Sequence, residues 1–436
     1  MTISVREYGC LVASGQSNGL DRQVVSKADF DFLREAAIGA GSLTTAFRIV
    51  SSLGQEAVQV QSFIGIVALP SGEQLEIVPK ITNGKESIEE GRHLLLKMLA
   101  RVNSSSFLES GSASLMTLNR PWLESLIEYI LSAIASLLRG GLRKDYVRID
   151  SNEKFLRGQL RLAAQIRQRP GKQHHFNIRY DVYSANRPEN RLLRSTLARL
   201  NAWTKLADSQ RLCRELLFVM DEVPESQDFS ADLRRWSQSR EMARYSVLLP
   251  WIRLILTNRS PIFSVGNWAG LSLLFPMEKL FEEYVFETLR GKIQHPYVLR
   301  SQIQSESLVF HRDQSFFRLR PDLAIMHGKR IVSVLDTKWK LIDEYSNDST
   351  SKYGLSQADF YQLFAYGEKY LQGCGVLFLI YPRHSKFQKA LRAFHFSERL
   401  TLWVVPFDLT AGDVDWPADV DRELFEALPR AAALDR

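Results

Sequence analysis

The hydrophobic pattern changes period twice along the chain, and that switch limits the possible folds more than any other feature. From Val5 to Ile81 the apolar residues come in short alternating runs, as in F-I-G-I-V-A-L-P-S-G-E-Q-L-E-I-V-P-K-I, where Pro70-Ser71-Gly72 parts two strand-like segments. From about Glu86 to Leu256 they recur three and four apart, in His93 to Val102, Trp122 to Leu138 and Glu189 to Leu206, which is the period of helices. After Asn258-Arg259-Ser260-Pro261 two strong helical patterns alternate with strand-like runs. The expectation is an α+β multidomain chain: a β-rich domain over 1–85, a mainly helical region over 86–260 and an α/β domain over 261–436. No internal repeat is visible, and the polar stretch from Asp343 to Lys352 reads as a mobile loop.

A length of 436 residues supports such a division, at roughly 150 residues per domain. With 45% hydrophobic and 24% charged residues the composition is that of a globular protein. The longest apolar stretches, Val376 to Tyr381 and Ile130 to Leu138, fall short of the ~20 residues that a membrane helix needs. The start M-T-I-S-V-R-E-Y-G lacks a cationic segment followed by an apolar one, so a cytoplasmic location is expected. Three scattered cysteines, Cys10, Cys213 and Cys374, support neither a disulfide framework nor a zinc site.

The formal charge of +7 permits a polyanionic partner, and its distribution is more telling than its size. Between Arg139 and Lys172 ten bases stand against three acids. Two readings are open: a solvated helical face with loops, or a phosphate-contacting strip that includes Arg143, Lys144 and Arg148. The chain has no G-x-x-x-x-G-K-[ST] sequence, so hydrolysis of a nucleoside triphosphate is not expected of it alone.

The chemistry gathers late in the chain. Pro321-Asp322 and Asp336-Thr337-Lys338 flank L-A-I-M-H-G-K-R-I-V-S-V-L, two apolar runs broken at His327-Gly328-Lys329, the pattern of a β-hairpin with a glycine turn. Such a hairpin brings the two acids together. Alternation along a strand puts Asp336 and Lys338 on one face, while Thr337 points away and offers its carbonyl. Two carboxylates and an ammonium suit phosphodiester hydrolysis. Asp322 and Asp336 would ligate a hard divalent cation such as Mg²⁺, and Lys338 would place or deprotonate the attacking water and offset charge on phosphorus.

Two helices frame that pair. F-P-M-E-K-L-F-E-E-Y-V-F-E-T-L-R starts with Pro276 in its first turn and sets Met277, Leu280, Phe281, Tyr284 and Val285 on one apolar stripe. Glu278 and Glu282 flank the stripe. Either is a metal-side acid or part of a wet helix face, and Glu282 is the favoured metal-side residue. Downstream, Ser356 and Asp359 read as the start of a helix with a core stripe of Phe360, Leu363, Phe364 and Gly367, and a second stripe of Asp359, Gln362 and Tyr366. Gln362 would hold Lys338 or the water, and Tyr366 would reach a phosphate, unless both only tie the helix to its neighbours.

Together, Pro321-Asp322, Asp336-x-Lys338 and Gln362-x-x-x-Tyr366 resemble the PD-(D/E)xK nuclease superfamily, in the branches that carry a Q-x-x-x-Y helix. D-T-K-W-K-L, D-F-Y-Q-L-F-A-Y-G, L-I-Y-P and M-E-K-L-F-E-E-Y-V closely resemble the McrC family, the nuclease subunits of McrBC modification-dependent restriction systems. E-Y-G near Glu7, L-E-I-V-P-K-I from Leu75, L-R-G-Q-L from Leu156 and N-R-L-L from Asn190 extend the likeness. The resemblance implies a PD-(D/E)xK nuclease domain over 261–436 and a Mg²⁺-dependent DNA endonuclease of antiviral defence. It also implies docking on a McrB-like AAA+ ring that binds GTP, recognises 5-methylcytosine sites in double-stranded DNA and translocates it. Asp322, Asp336, Lys338, Gln362, Tyr366 and Glu282 would then form the catalytic group, with Thr337 among the metal ligands, and the N-terminal and helical parts would serve docking. Two other readings stand beside this one: an inactive activator of a partner NTPase, and an autonomous repair or junction nuclease.

Overall fold

The computed structural model describes residues 2–39, 45–81, 87–102, 122–169, 171, 174–237, 239, 242–257, 263–265, 268–270 and 272–417. The fold is mixed α/β with several sheets, and the chain forms two compact units, Met1–Ser110 with Ile262–Arg436, and Gly111–Pro261. Among the described residues no helix is long and apolar enough to cross a membrane.

In the first unit, residues 1–85 do not close on themselves. Strand Phe63–Ala68 is buried along most of its length and pairs on one edge with Gln74–Val78, which in turn pairs in parallel with Thr2–Arg6. Its other edge is completed by Ser272–Pro276, from beyond the whole second unit. The pairing is close: a Cβ on Gly65 (φ +131°) would stand 1.9 Å from the carbonyl oxygen of Leu273, so only glycine fits there. A second sheet, in the order Arg22–Val24, Cys10–Val12, Gln55–Val60, Phe47–Ser52, packs with helix Lys27–Ile38 over a core that includes Leu11, Phe30, Leu33, Phe47 and Val58. Helix Ser87–Val102, which the sequence assigned to the middle region, also belongs to this unit and packs on helix Met277–Arg290.

The rest of the unit is a sheet in the order Tyr297–Ser301, Leu323–His327, Arg330–Thr337, Gly375–Pro382, Leu400–Asp408, Phe394–His395. Strands Arg330–Thr337, Gly375–Pro382 and Leu400–Asp408 run parallel. Parallel neighbours need a crossover, and helix Gln357–Tyr370 lies in the connection between the first two. Gly375–Pro382 is accordingly a nearly continuous apolar run, G-V-L-F-L-I-Y-P.

The second unit is less helical than its sequence suggested. Strands Asp145–Glu153 and Phe176–Ser184 pair antiparallel along their full length, joined by Gln159–Leu160, beside helices that include Trp122–Arg139, Pro188–Trp203 and Ala207–Val219. Arg143 and Lys144 precede that ladder and Arg148 lies on it, so no helical face carries them.

Candidate functional site

The expected hairpin forms. Leu323–His327 pairs antiparallel with Arg330–Thr337 around Gly328, whose φ of +61° suits the turn. Leu323 stands opposite Leu335, which brings Asp322 to the mouth of the hairpin beside Asp336 and Thr337. There Oδ2 of Asp322 accepts from the backbone N–H of Thr337 (2.8 Å) and from its hydroxyl (2.7 Å). The Thr337 side chain therefore does not point away from the acids, as alternation alone suggested. The regular strand ends at this residue, and Asp322 reaches across to it.

Asp336 is 1% exposed, and the Lys338 ammonium lies 2.5 Å from its Oδ2. That contact is a tight ion pair, and apart from it neither Asp336 oxygen has a hydrogen-bond partner among the described residues. Burial, and after it the charge of Asp322, pushes the Asp336 carboxyl up to about 7. Burial draws the Lys338 ammonium down, but the charge and proximity of Asp336 outweigh this and leave it above its ordinary value. Lys338 Nζ also donates to Oε1 of Gln362 (3.4 Å), as the sequence anticipated.

Tyr366 differs from expectation. It is buried, its hydroxyl accepts from Nε2 of Gln362 (2.6 Å) and donates to the carbonyl of Arg320 (3.0 Å). A phenol so engaged holds Gln362 and the approach to Asp322 in place, and it is not free to reach a phosphate. Ser356 is the N-cap of this helix, though its side chain makes no capping bond. Of the proposed core stripe Phe364 is 43% exposed.

Asp322, Thr337 and Lys338 open onto a cleft of about 1400 Å³ whose walls also include Glu278, Glu282 and Asp359, while Asp336 is buried beside them. The apolar stripe Met277, Leu280, Phe281, Tyr284, Val285 is buried as expected, and Pro276 stands just before the helix as its N-cap. Glu278 is exposed and Glu282 half-buried. The Glu282 carboxylate accepts from Nε2 of Gln302 (2.8 Å), and burial followed by the Asp322 charge raises its pKa. Gln302 in turn accepts from Arg320. Glu282 thus lines the cleft, but it is turned toward Gln302, and among the described residues no three acidic, His or Cys side chains converge tightly enough to hold an ion unaided. The Asp336 carboxylate, which meets no donor but Lys338 and stands beside Asp322, nevertheless suits a hard cation that keeps part of its water shell.

Arg143, Lys144 and Arg148 belong to the second unit. Lys144 pairs with Glu222 (3.3 Å), Arg148 pairs with Asp181 across the ladder (3.2 Å), and the backbone N–H of Arg143 donates to the Tyr245 hydroxyl (3.0 Å). What the sequence reading did not foresee is that Tyr8 and Lys80, from the N-terminal part, line the same cleft as Asp322 and Lys338. E-Y-G and V-P-K-I were visible as motifs, but nothing local ties them to a hairpin more than 240 residues later.

Fold and cleft define a mixed α/β protein with an aspartate pair and a lysine at the mouth of a sheet hairpin. The chain matches the McrBC 5-methylcytosine restriction system component family over residues 58–382, and it belongs to that family. Among solved structures it is similar to a chain of the refined half-complex from the tetradecameric assembly of Thermococcus gammatolerans McrB AAA+ hexamers with bound McrC. The TM-score is 0.68 at 18% identity, over 94% of this chain and 95% of that one. It is also similar to a chain of the Thermococcus gammatolerans McrBC complex, with TM-score 0.50 at 19% identity, over 66% and 87%. At these identities the likeness establishes a shared fold. No curated protein matches the chain.

Proposed function

We propose that this chain is the nuclease subunit of a McrBC system, a metal-dependent endonuclease of the PD-(D/E)xK type that cuts double-stranded DNA carrying modified cytosine. The observation that carries the reading is the buried Asp336 carboxylate, which meets no donor but Lys338, next to Asp322 and Lys338 on the wall of the cleft. Lys338 offsets one charge where the two carboxylates of Asp336 and Asp322 stand together, and a divalent cation is the partner that would balance the rest.

Asp336, Asp322 and the Thr337 carbonyl would hold Mg²⁺, with Glu282 reaching it through water. When bound, the ion supplies Lewis acidity and lowers the pKa of its water. Lys338, held by Asp336 and Gln362, presents its ammonium where negative charge grows on the phosphate in the transition state. Tyr366 and Gln362 keep that ammonium from swinging out of the cleft.

Cutting would depend on a McrB-like AAA+ ring that binds and hydrolyses GTP. Family membership and the fold shared with chains of McrB–McrC assemblies support that partner, and a cytoplasmic location follows from it. The test is a cleavage assay on methylated duplex with ring, GTP and Mg²⁺ each added or withheld. Efficient double-strand cutting is expected only with all three. Strong cutting of unmodified DNA by the chain alone would favour the autonomous nuclease instead.

A further inference from the structure

The strand that carries Asp336 ends at Thr337, and only one ladder-like bond follows, from the Lys338 N–H to the Ile380 carbonyl (2.9 Å). Beyond it, the fixed point is Trp339. This residue is 5% exposed and gripped at both ends by the N-terminal part of the chain. Its indole N–H donates to the two carboxylate oxygens of Glu7 (3.1 and 3.0 Å), and its carbonyl accepts from the Lys80 ammonium (2.7 Å). Glu7 also accepts from the backbone N–H of Lys80 (2.9 Å), which closes the grip on itself. The ring packs on Phe281 of the cleft helix, at 5.3 Å between centroids, and the Lys80 ammonium stands over both the Tyr8 and Trp339 rings.

A contact evolved for stability alone would place apolar groups here. Glu7 is 3% exposed, and among the described residues no cation lies within ion-pair distance of its carboxylate. Burying a carboxylate near a half-buried ammonium with no ion pair between them costs free energy that simple packing would not. What the arrangement does provide is direction, because an indole N–H and a main-chain carbonyl are both fixed in angle as well as distance.

We infer that Glu7 and Lys80 are positioning residues of the cleavage site, clamping Trp339 so that the neighbouring Lys338 ammonium is held at Asp336. The segment assigned from its sequence to partner docking is thereby built into the catalytic hairpin, and any shift of the N-terminal sheet is felt at Lys338. The inference rests on the nuclease reading and goes further, since it gives that segment a part in the chemistry.

The test uses the full chain assembled with its ring partner, GTP, Mg²⁺ and methylated duplex, and measures single-turnover cleavage beside DNA affinity and ring GTPase rate. Glu7→Met keeps the length of the side chain while removing both acceptor oxygens, and Trp339→Phe keeps the ring on Phe281 while removing the N–H. Each is expected to slow cleavage about ten-fold with DNA affinity and GTPase rate unchanged, because small displacements of catalytic groups act on the chemical step. Lys80→Met should do the same, and Lys80→Arg, which still donates to the carbonyl, should recover most of the rate. The double variant Glu7→Met with Trp339→Phe should be no slower than either single one, since both break the same indole contact. Cleavage within two-fold of wild type in the folded single variants would overturn the clamp. Equal losses in Lys80→Met and Lys80→Arg would reduce it to packing. A wild-type complex that fails to cut under Mg²⁺ would instead overturn the nuclease reading, and the clamp with it.

Discussion

Two antiparallel ladders in this molecule treat charge in opposite ways. In Leu323–His327 with Arg330–Thr337 the strands are largely buried, and the one charged side chain near the end, Asp336, meets no donor but Lys338. In Asp145–Glu153 with Phe176–Ser184 most side chains are exposed, and facing residues pair off: Tyr146 with Tyr183, Arg148 with Asp181, Asp150 with Arg179. The second ladder satisfies its charges on the spot, as cross-strand pairs should. The first buries its charge against a lysine two residues along the chain instead of a facing partner, and the nuclease reading builds on that difference.

The sharpest way to break this contrast is to remove either member of the buried pair. Asp336→Ala and Lys338→Ala are each expected to lower Mg²⁺-dependent cleavage by roughly 10³-fold or more, while the variants stay folded, still bind the ring and still stimulate its GTPase. Undiminished cutting by both purified variants would sink the catalytic assignment.

The contrast in burial has its own test. Leu335→Ala, in the core of the first ladder, should cost about 2–5 kcal/mol in denaturant unfolding, through lost burial and the cavity left behind. Val147→Ala, on a residue 40% exposed in the second ladder, should cost about 0.5 kcal/mol or less. Similar costs at the two positions would mean that the second ladder is buried in the working protein.

The clamp adds a pH signature. Burial lifts the Glu7 carboxyl from 4.5 to about 7, against the opposing pull of Lys80 and the bonds from Lys80 and Trp339, with Glu278 adding to the rise. The folded state then holds a proton between those values that the unfolded chain has lost, so stability falls as pH rises through that window and is level above it. The shift corresponds to an upper bound of about 3 kcal/mol. Asp336 slopes the same way, so the informative quantity is the difference between wild type and Glu7→Gln in denaturation midpoints from pH 5 to 8. A variant with the wild-type slope would show that Glu7 titrates as an ordinary carboxyl.

The same contrast explains what was legible in the sequence. Asp322, Asp336 and Lys338 were readable because buried strands alternate and break at a glycine, and the cleft helix because its stripe from Met277 to Val285 repeats at helical spacing. Gln362 was readable because it shares a stripe with Tyr366, yet the burial that makes Tyr366 a strut depends on Arg320 across the fold. The second ladder was hidden, since exposed strands such as D-Y-V-R-I-D-S-N-E carry no strict apolar alternation and are held by facing pairs that are distant in sequence. Long separation also hid the completion of the N-terminal sheet by Ser272–Pro276 and the grip of Glu7 on Trp339.

The smallest expected effect bears on the basic strip. If Arg148 is only the cross-strand partner of Asp181, a double-mutant cycle between them should give a coupling of about 0.2–1 kcal/mol, the usual worth of an exposed pair, and neutralising Arg148 should leave DNA binding alone. If the strip contacts phosphates, neutralising Arg143, Lys144 and Arg148 together should weaken DNA binding by the assembled complex and flatten its salt dependence by up to about three counterions. Lys144 and Arg148 each already face an acid, Glu222 and Asp181, so part of their charge is cancelled before DNA arrives. That pairing favours the smaller outcome: a measurable stability coupling at Arg148 and a salt slope shallower by one counterion or less. A full loss of three would show that DNA displaces the acids, and would make the exposed ladder a working surface in its own right.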